Sequence, residues 1–311
     1  MKNIILSAIL AVASSCTAAA QITDYSIFDD KLNIYVANDL GRNGYYDQKP
    51  IAELMGNMAE KGADPECVLA VGDVHHFDGV ASVSDPLWTT NYELIYSHPE
   101  LMISWLPVLG NHEYRGNTQA VLDYSKISRR WEMPARYYTK ALEDDGISIR
   151  IVCIDTTPLI SKYRKESEKY PDASKQDIEK QTAWLDSVLT ASKEQWTIVV
   201  GHHPIYAQTS KSETERTDMQ AIIDPILRRH NVDMYINGHI HNFQHIRVPG
   251  SNIDYITNSA GSLSREVQPI QGTKFCSSAT GFSIISANNN ALELRMIDSK
   301  GNIIHTITRK K

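Results

Sequence analysis

Val68-Leu69-Ala70-Val71-Gly72-Asp73-Val74-His75-His76-Phe77 decides how this chain is read. Its first four residues are an uninterrupted apolar run, which suits a strand buried on both faces, as in a parallel sheet. Gly72 ends the run. Asp73, His75 and His76 then fall in the loop beyond the strand's carboxyl end, where open α/β sheets place their ligand sites. A carboxylate and two imidazoles this close together make a poor core and a good metal cradle. A carboxylate can also bridge two cations, and that role is assigned to Asp73.

The same pattern repeats outward from this stretch. Leu32 to Ala37 reads as a strand followed by Asp39 and Gly41. Trp105 to Leu109 reads as another, ending in Gly110-Asn111-His112-Glu113. Trp196 to Val200 ends in Gly201-His202-His203-Pro204, and Asp233 to Ile236 ends in Gly238-His239-Ile240-His241. The chain has 11 histidines. Seven of them (His75, His76, His112, His202, His203, His239 and His241) fall in these loops, a clustering that histidines scattered through a core would not show. Carboxylate, imidazole and amide oxygen together suit iron, zinc or manganese rather than a thiolate-type site. The ligands suffice for two ions, the standard arrangement for phosphoester hydrolysis.

Between these strands the periodicity predicts helices over Pro50 to Ala59, Pro86 to Tyr96, and from Asp177 through Leu189. Another runs from Met219 to His230, with Pro225 as a kink point. Arg136 to Ala141 and Ile147 to Ile154 read as strands, and residues 161–176, charged and containing Pro171, as an exposed loop. The end of the chain reads as β-rich, with strands at Ile253 to Thr257, Gly281 to Ser286, Ala291 to Met296 and Ile303 to Ile307.

With 311 residues and 42% hydrophobic content the chain can bury a sizeable core. A net charge of -6 with scattered basic residues argues against a nucleic-acid-binding surface. Lys2, the apolar run from Ile4 to Ala13 and the small residues up to Ala20 fit a secretory signal, residues 1–20, and hence export to a periplasmic or extracellular space. Lipid anchoring through Cys16 is the alternative, although Ala13 stands where a larger aliphatic is usual. The run is too short to span a bilayer. Beyond the signal only Cys67, Cys153 and Cys276 remain, which is not a disulfide framework. Residues 21–311 are expected to form one catalytic domain, because sites at both ends of the chain must meet.

The ordered motifs, from Asp39-Leu40-Gly41 and Gly72-Asp73 to Gly238-His239-Ile240-His241, resemble those of the calcineurin-like metallophosphoesterases. Gly116 to Tyr138 and Gln181 to Tyr206 are similar to the small, tartrate-resistant type of purple acid phosphatase, and the likeness spans about residues 31–309. The resemblance implies a four-layer α/β/β/α sandwich, an α/β fold with mixed sheets. It implies one ion held by Asp39, Asp73 and His241 and a second by Asp73, Asn111, His202 and His239. His112 would donate a proton to the leaving group or steady the phosphate, with Glu113 orienting it or nearby backbone. The implied reaction is hydrolysis of phosphate monoesters, on small molecules or phosphoproteins, by a metal-bound hydroxide attacking in line. Diester or nucleotide cleavage is the nearest rival, and an exported binding protein without catalysis the more distant one. In this subfamily an exposed loop in the region of residues 161–176 can restrain activity until it is cut.

Three positions depart from the family pattern. The iron-binding tyrosine three residues after the bridging aspartate is here His76, which is assigned as a nitrogen ligand of the first ion. His75 and His203 stand where the family has aromatics; His75 is the adjacent alternative ligand to His76, with packing as its other reading, and His203 is read as a pocket residue.

Overall fold

The computed structural model describes residues 20–311; the signal and lipidation readings fall almost wholly on residues 1–19, outside the described part. After a two-residue edge strand, β1 (Ala20–Gln21), come three short buried strands, β2 (Leu32–Ala37), β3 (Pro65–Ala70) and β4 (Ser104–Pro107). Apolar side chains dominate both faces of these strands, and they pair in parallel, β2 with β3 and β3 with β4, which ends the sheet. Helix α1 (Gln48–Met58) crosses between β2 and β3 with Ile51, Ala52 and Met55 buried, and the Tyr35 hydroxyl of β2 donates to its Met55 carbonyl at 3.1 Å.

A second sheet grows around β5 (Tyr138–Asp144), β6 (Ile147–Cys153), β7 (Trp196–Val200), β8 (Met234–Asn237), β9 (Phe243–Ile246), β10 (Asp254–Asn258) and β11 (Thr273–Ser277). The chain then returns to the first sheet with β12 (Gly281–Ala287), β13 (Ala291–Asp298) and β14 (Asn302–Lys310). The strand orders are β1-β14-β13-β12-β2-β3-β4 and β11-β9-β10-β8-β7-β6-β5, two mixed seven-stranded sheets. They pack face to face over one apolar cluster that runs from Ile22 to Ile307. Bonds between the sheets lock the register: the Asn258 amide donates to the Val36 carbonyl at 2.9 Å and the Asn38 amide to the Asn237 carbonyl at 3.1 Å. Strands β2, β3, β4, β7 and β8 all deliver their carboxyl ends to one edge of this sandwich.

Several expectations are corrected. Residues 161–176 are not a plain exposed loop. They contain α3 (Ser161–Lys165) and a single 3-10 turn, and they bury Tyr163, Tyr170 and Ala173; the charges lie on the outer face of a segment anchored by its aromatics. The helix from Asp177 appears as α4 (Ile178–Ala191), with the Asp177 carboxylate capping the Lys180 amide at 2.9 Å. The helix read over Met219 to His230 is two helices, α5 (Glu213–Ile222) and α6 (Asp224–Arg229). Pro225 cannot donate its amide and starts the second helix. Strands β9 and β11 were not expected, being too polar to read as buried. The three cysteines are free thiols, Cys67 and Cys153 buried.

Candidate metal centre

Asp39, Asp73, Asn111, His202, His239 and His241 are all buried at the shared strand edge, in the loops after β2, β3, β4, β7 and β8. Candidate ligand atoms of Asp39, His76 and His241 lie within 4.8 Å of one another, and so do those of Asp39, Asp73 and His202. Asp73 lies at the middle: its Oδ2 is 3.2 Å from His202 Nε2, 3.5 Å from His76 Nε2 and 3.8 Å from His112 Nε2. Overlapping groups linked through Asp39 and, with His76 and His112, through Asp73 fit a pair of cations with a carboxylate between them.

Unpaired polar atoms identify where such cations would sit. Among the described residues, Asn111 Oδ1, His202 Nε2, His239 Nδ1, His241 Nδ1 and both ring nitrogens of His76 are buried without a hydrogen-bond partner. Buried polar groups left unpaired cost about 1–3 kcal/mol each, so a convergent set of them marks atoms awaiting a ligand. The donor set fits two first-row divalent or trivalent ions. His76 belongs to this set in geometry: it is 3% exposed and contributes ligand atoms to two of the clusters.

Electrostatics point the same way. Burial, reinforced by Asp73, pushes the Asp39 carboxyl up to about 7. Burial alone would depress the His202 imidazole, but the Asp73 carboxylate beside it wins and raises it to about 9. Burial drives His241 down to about 3, with Arg265 adding to the effect. Two buried carboxylates among imidazoles that burial keeps neutral at His76, His239 and His241 form a site whose charge a cation would balance.

Hydrogen bonds behind the candidate ligands orient them. The Asp39 carboxylate accepts from the Ser259 hydroxyl at 2.5 Å and the His239 amide at 2.9 Å. His202 Nδ1 lies 3.0 Å from the Val71 carbonyl, which holds its proton there and turns Nε2 to the centre. His239 Nε2 lies 2.9 Å from Glu215 Oε2, turning its free Nδ1 to the centre. Glu215 is 1% exposed and also accepts from Lys162 at 2.9 Å and Tyr163 at 3.0 Å. Sequence reasoning missed Glu215, because it stands among Glu213, Arg216 and Asp218 in what reads as a solvated helix face.

The remaining predicted residues separate by their contacts. His112 Nδ1 is fixed on the Phe77 carbonyl at 2.6 Å, so its Nε2 faces the cluster. Glu113 does not touch that ring. It accepts from the backbone amides of Gly110 at 2.7 Å, Asp73 at 3.0 Å and His75 at 3.0 Å, and so shapes the loop. His75 turns away and packs edge-on against Trp88, ring centres 4.4 Å apart. His203 has Thr156 at 2.8 Å on one nitrogen and Tyr163 at 3.1 Å on the other, and forms pocket wall.

The family model of the calcineurin-like phosphoesterases matches residues 32–243. Purple acid phosphatase 3 of Arabidopsis thaliana is 30% identical over 306 residues, covering 94% of this chain and 81% of the relative. Tartrate-resistant acid phosphatase type 5 of Sus scrofa is 30% identical over 207 residues, 65% of this chain and 59% of the relative. Among solved structures, GAP50, described as the anchor in the inner membrane complex of Plasmodium, superposes with a TM-score of 0.77 at 25% identity, covering 90% of this chain and 89% of the other. A purple acid phosphatase from yellow lupin seeds, PPD1, superposes with a TM-score of 0.64 at 14% identity, covering 90% and 54%, and shows the fold alone.

Proposed function

The chain belongs to the calcineurin-like phosphoesterase family, and on that premise we propose that it is an acid-phosphatase-type enzyme that hydrolyses phosphate monoesters at a two-metal centre. The observation that carries this reading is the set of unpaired buried ligand atoms that two sheets bring to one edge. Asp39, Asp73, His76 and His241 would hold one ion, and Asp73, Asn111, His202 and His239 the other. Two bound ions would polarise the phosphoryl group and neutralise the charge that develops on it. The chain's own part is positional. Asp73 spaces the two sites, and Asn111 and His202 shape the side nearest His112. His112 Nε2, its other nitrogen committed to Phe77, is placed to give a proton to the departing alcohol oxygen.

Export is part of the proposal and rests on the N-terminal pattern; no helix among the described residues is long and apolar enough to cross a membrane. A single catalytic unit over residues 21–311 is supported by the shared apolar cluster.

The test is Asp73→Asn, with p-nitrophenyl phosphate, its bis ester and metal analysis on the same samples. The wild type should bind two ions and prefer the monoester, and the variant should lose both occupancy and turnover. A variant retaining two tightly held ions at near-normal rate would refute the shared role of Asp73. Preference for the bis ester would replace the monoester reading.

A further inference from the structure

His112 is held by a carbonyl, and that carbonyl needs an anchor of its own. His112 Nδ1 lies 2.6 Å from the Phe77 carbonyl oxygen, which accepts a second bond, from Arg115 Nη1 at 3.1 Å. The Phe77 side chain is 64% exposed, so apolar packing holds this residue only weakly. The same loop is tied further along, where the Asn117 amide donates to the Val80 carbonyl at 2.8 Å and the Asn117 side chain to the Ala81 carbonyl at 3.2 Å. A carbonyl held by the imidazole alone cannot orient that imidazole, because the two would move together. A second donor, attached to a fixed point, makes the carbonyl the reference and the ring the part that is held.

Arg115 is attached in that way. Its amide donates to the His112 carbonyl at 3.1 Å, in the 3-10 turn Glu113–Arg115. Its guanidinium lies 5.8 Å from the ring centre of Tyr170, close enough for a cation to be drawn to the ring face. Tyr170 is buried and packs edge-on against Tyr163, ring centres 4.8 Å apart. No carboxylate claims the guanidinium. Among the described residues Arg115 makes no ion pair, whereas Arg130 and Arg136 pair with Glu93 and Asp172 at 2.7 Å and 3.6 Å. The Phe77 carbonyl is the one acceptor its side chain has among those residues, and its Nε is buried without a partner. A half-buried guanidinium so poorly satisfied is a weak stabiliser of the fold, and an apolar side chain would cover Tyr170 without that cost. What the charge does at this position is brace the carbonyl.

We propose that Arg115 is a positioning residue for the proton donor: by fixing the Phe77 carbonyl it keeps His112 Nδ1 bonded there and His112 Nε2 aimed at the leaving oxygen. This rests on the reading of His112 as the acid. In the protonated ring both nitrogens carry hydrogen. The Nε2 proton passes to the alcohol oxygen as the bond from that oxygen to phosphorus breaks, and the electron pair of the N–H bond stays on Nε2. The Nδ1–H bond to Phe77 persists in the neutral ring, so the ring keeps its place through the transfer. A leaving group that departs as a stable anion has no use for the proton, and with it Arg115 makes no difference.

The experiment compares phenyl phosphate, whose leaving oxygen is basic, with dinitrophenyl phosphate, whose leaving oxygen is not. Metal-loaded wild type, Arg115→Met, Arg115→Lys and His112→Asn are assayed, with thermal melts to check folding. The imidazole nitrogen resonances of His112 are recorded by NMR on the zinc-loaded proteins. Arg115→Met covers Tyr170 but removes the donor. It should lower kcat for phenyl phosphate about tenfold with KM unchanged, and alter dinitrophenyl phosphate by less than twofold. Arg115→Lys, which can still donate to the carbonyl, should recover most of the loss. Added to His112→Asn, Arg115→Met should cost nothing more. The His112 nitrogen shifts should move from those of a single Nδ1–H tautomer toward the mean of two in Arg115→Met, and stay in Arg115→Lys. Arg115→Gln, too short to reach the carbonyl, should repeat the losses of Arg115→Met and replaces it where methionine impairs folding. Nitrogen shifts unchanged on removing the donor overturn the positioning role, and so does a loss equal on both substrates when His112→Asn discriminates between them. An equal loss in His112→Asn would instead strike the acid reading, and the nitrogen shifts still judge Arg115.

Discussion

Removing the Glu215 carboxylate tests the centre from behind. Its Oε2 meets His239 Nε2 at 2.9 Å, and its Oε1 accepts from Lys162 and Tyr163. Burial opposes its ionisation, but His203, Lys162 and Tyr163 outweigh that and hold it below the usual glutamate value. An ionised acceptor fixes the proton of His239 on Nε2 and leaves Nδ1 as the free ligand atom. In Glu215→Ala that preference disappears, and the ring can rotate or carry its proton on the wrong nitrogen. Losing one charge-assisted bond costs about 1.5–3 kcal/mol. Loss of such an outer partner typically lowers metal affinity ~10–100-fold, which at about 1.4 kcal/mol per decade is the same magnitude. Glu215→Gln should fall between, because its carbonyl can serve His239 only by turning its amide toward the Lys162 ammonium. The assay is Zn(II) affinity of the chelated protein by competition with a chromophoric chelator, with a thermal melt to show that the variants fold. A Glu215→Ala protein that folds and binds the weaker of its two ions within threefold of wild type refutes the argument.

Two further outcomes follow. With neutral imidazole at His76 in place of a phenolate, the iron-loaded protein should lack an intense visible band, and His76→Tyr should create one; absorption spectra of both decide it, and a strong band in the wild type would move His76 out of the first ion's ligands. Far from the centre, burial and His245 lower the His305 imidazole to about 4. Its folded pKa thus lies below the unfolded value near 6.5, the unfolded chain binds the extra proton, and stability should fall as pH drops from about 6.5 to 4. Denaturant titrations of His305→Asn should show a flatter slope over that window than wild type.

The candidate ligands were legible because each follows its strand within a few residues. A short apolar run, a glycine and then Asp, Asn or His are contiguous in sequence, and the parallel pairing of β2 with β3 and of β7 with β8 brings their ends together. What supports and surrounds those ligands was not legible. Glu215 resembles a surface residue until α5 packs it against His239. The aromatic anchors Tyr163 and Tyr170 were hidden among lysines and glutamates, so a packed segment read as a loop. In the helix broken before Pro225 the apolar spacing continued across the break, and periodicity could not register it.

The glycine before each ligand has a steric reason. A Cβ on Gly72 would come within 2.3 Å of His202 Nδ1, one on Gly110 within 2.2 Å of Asp73 Oδ1, and one on Gly238 within 2.7 Å of Asp39 Oδ2. Strand ends from two sheets can therefore approach only where side chains are missing. The approach also forces Asp39, Asp73, His239 and His241 into left-handed backbone, with φ of 56°, 52°, 79° and 57°. Each non-glycine residue so held costs of order 1–3 kcal/mol, and the surroundings must enforce it. Backbone hydrogen bonds around these residues do so. The Asp39 amide donates to the Gly72 carbonyl at 3.1 Å and the Gly41 amide to the Asp73 carbonyl at 3.2 Å. The His239 amide donates to Asp39 and the His241 amide to Ser259 at 2.7 Å. These bonds come from the protein itself, so the scaffold is expected to hold the strand ends when the ions are removed, in contrast to small domains that fold only around their metal. Chelation should abolish turnover yet leave far-ultraviolet circular dichroism and a cooperative melt, with Tm lowered by no more than the linkage of the lost ions requires. A chelated protein without a cooperative transition would show that the ions, rather than the hydrogen bonds just named, hold the strand ends together.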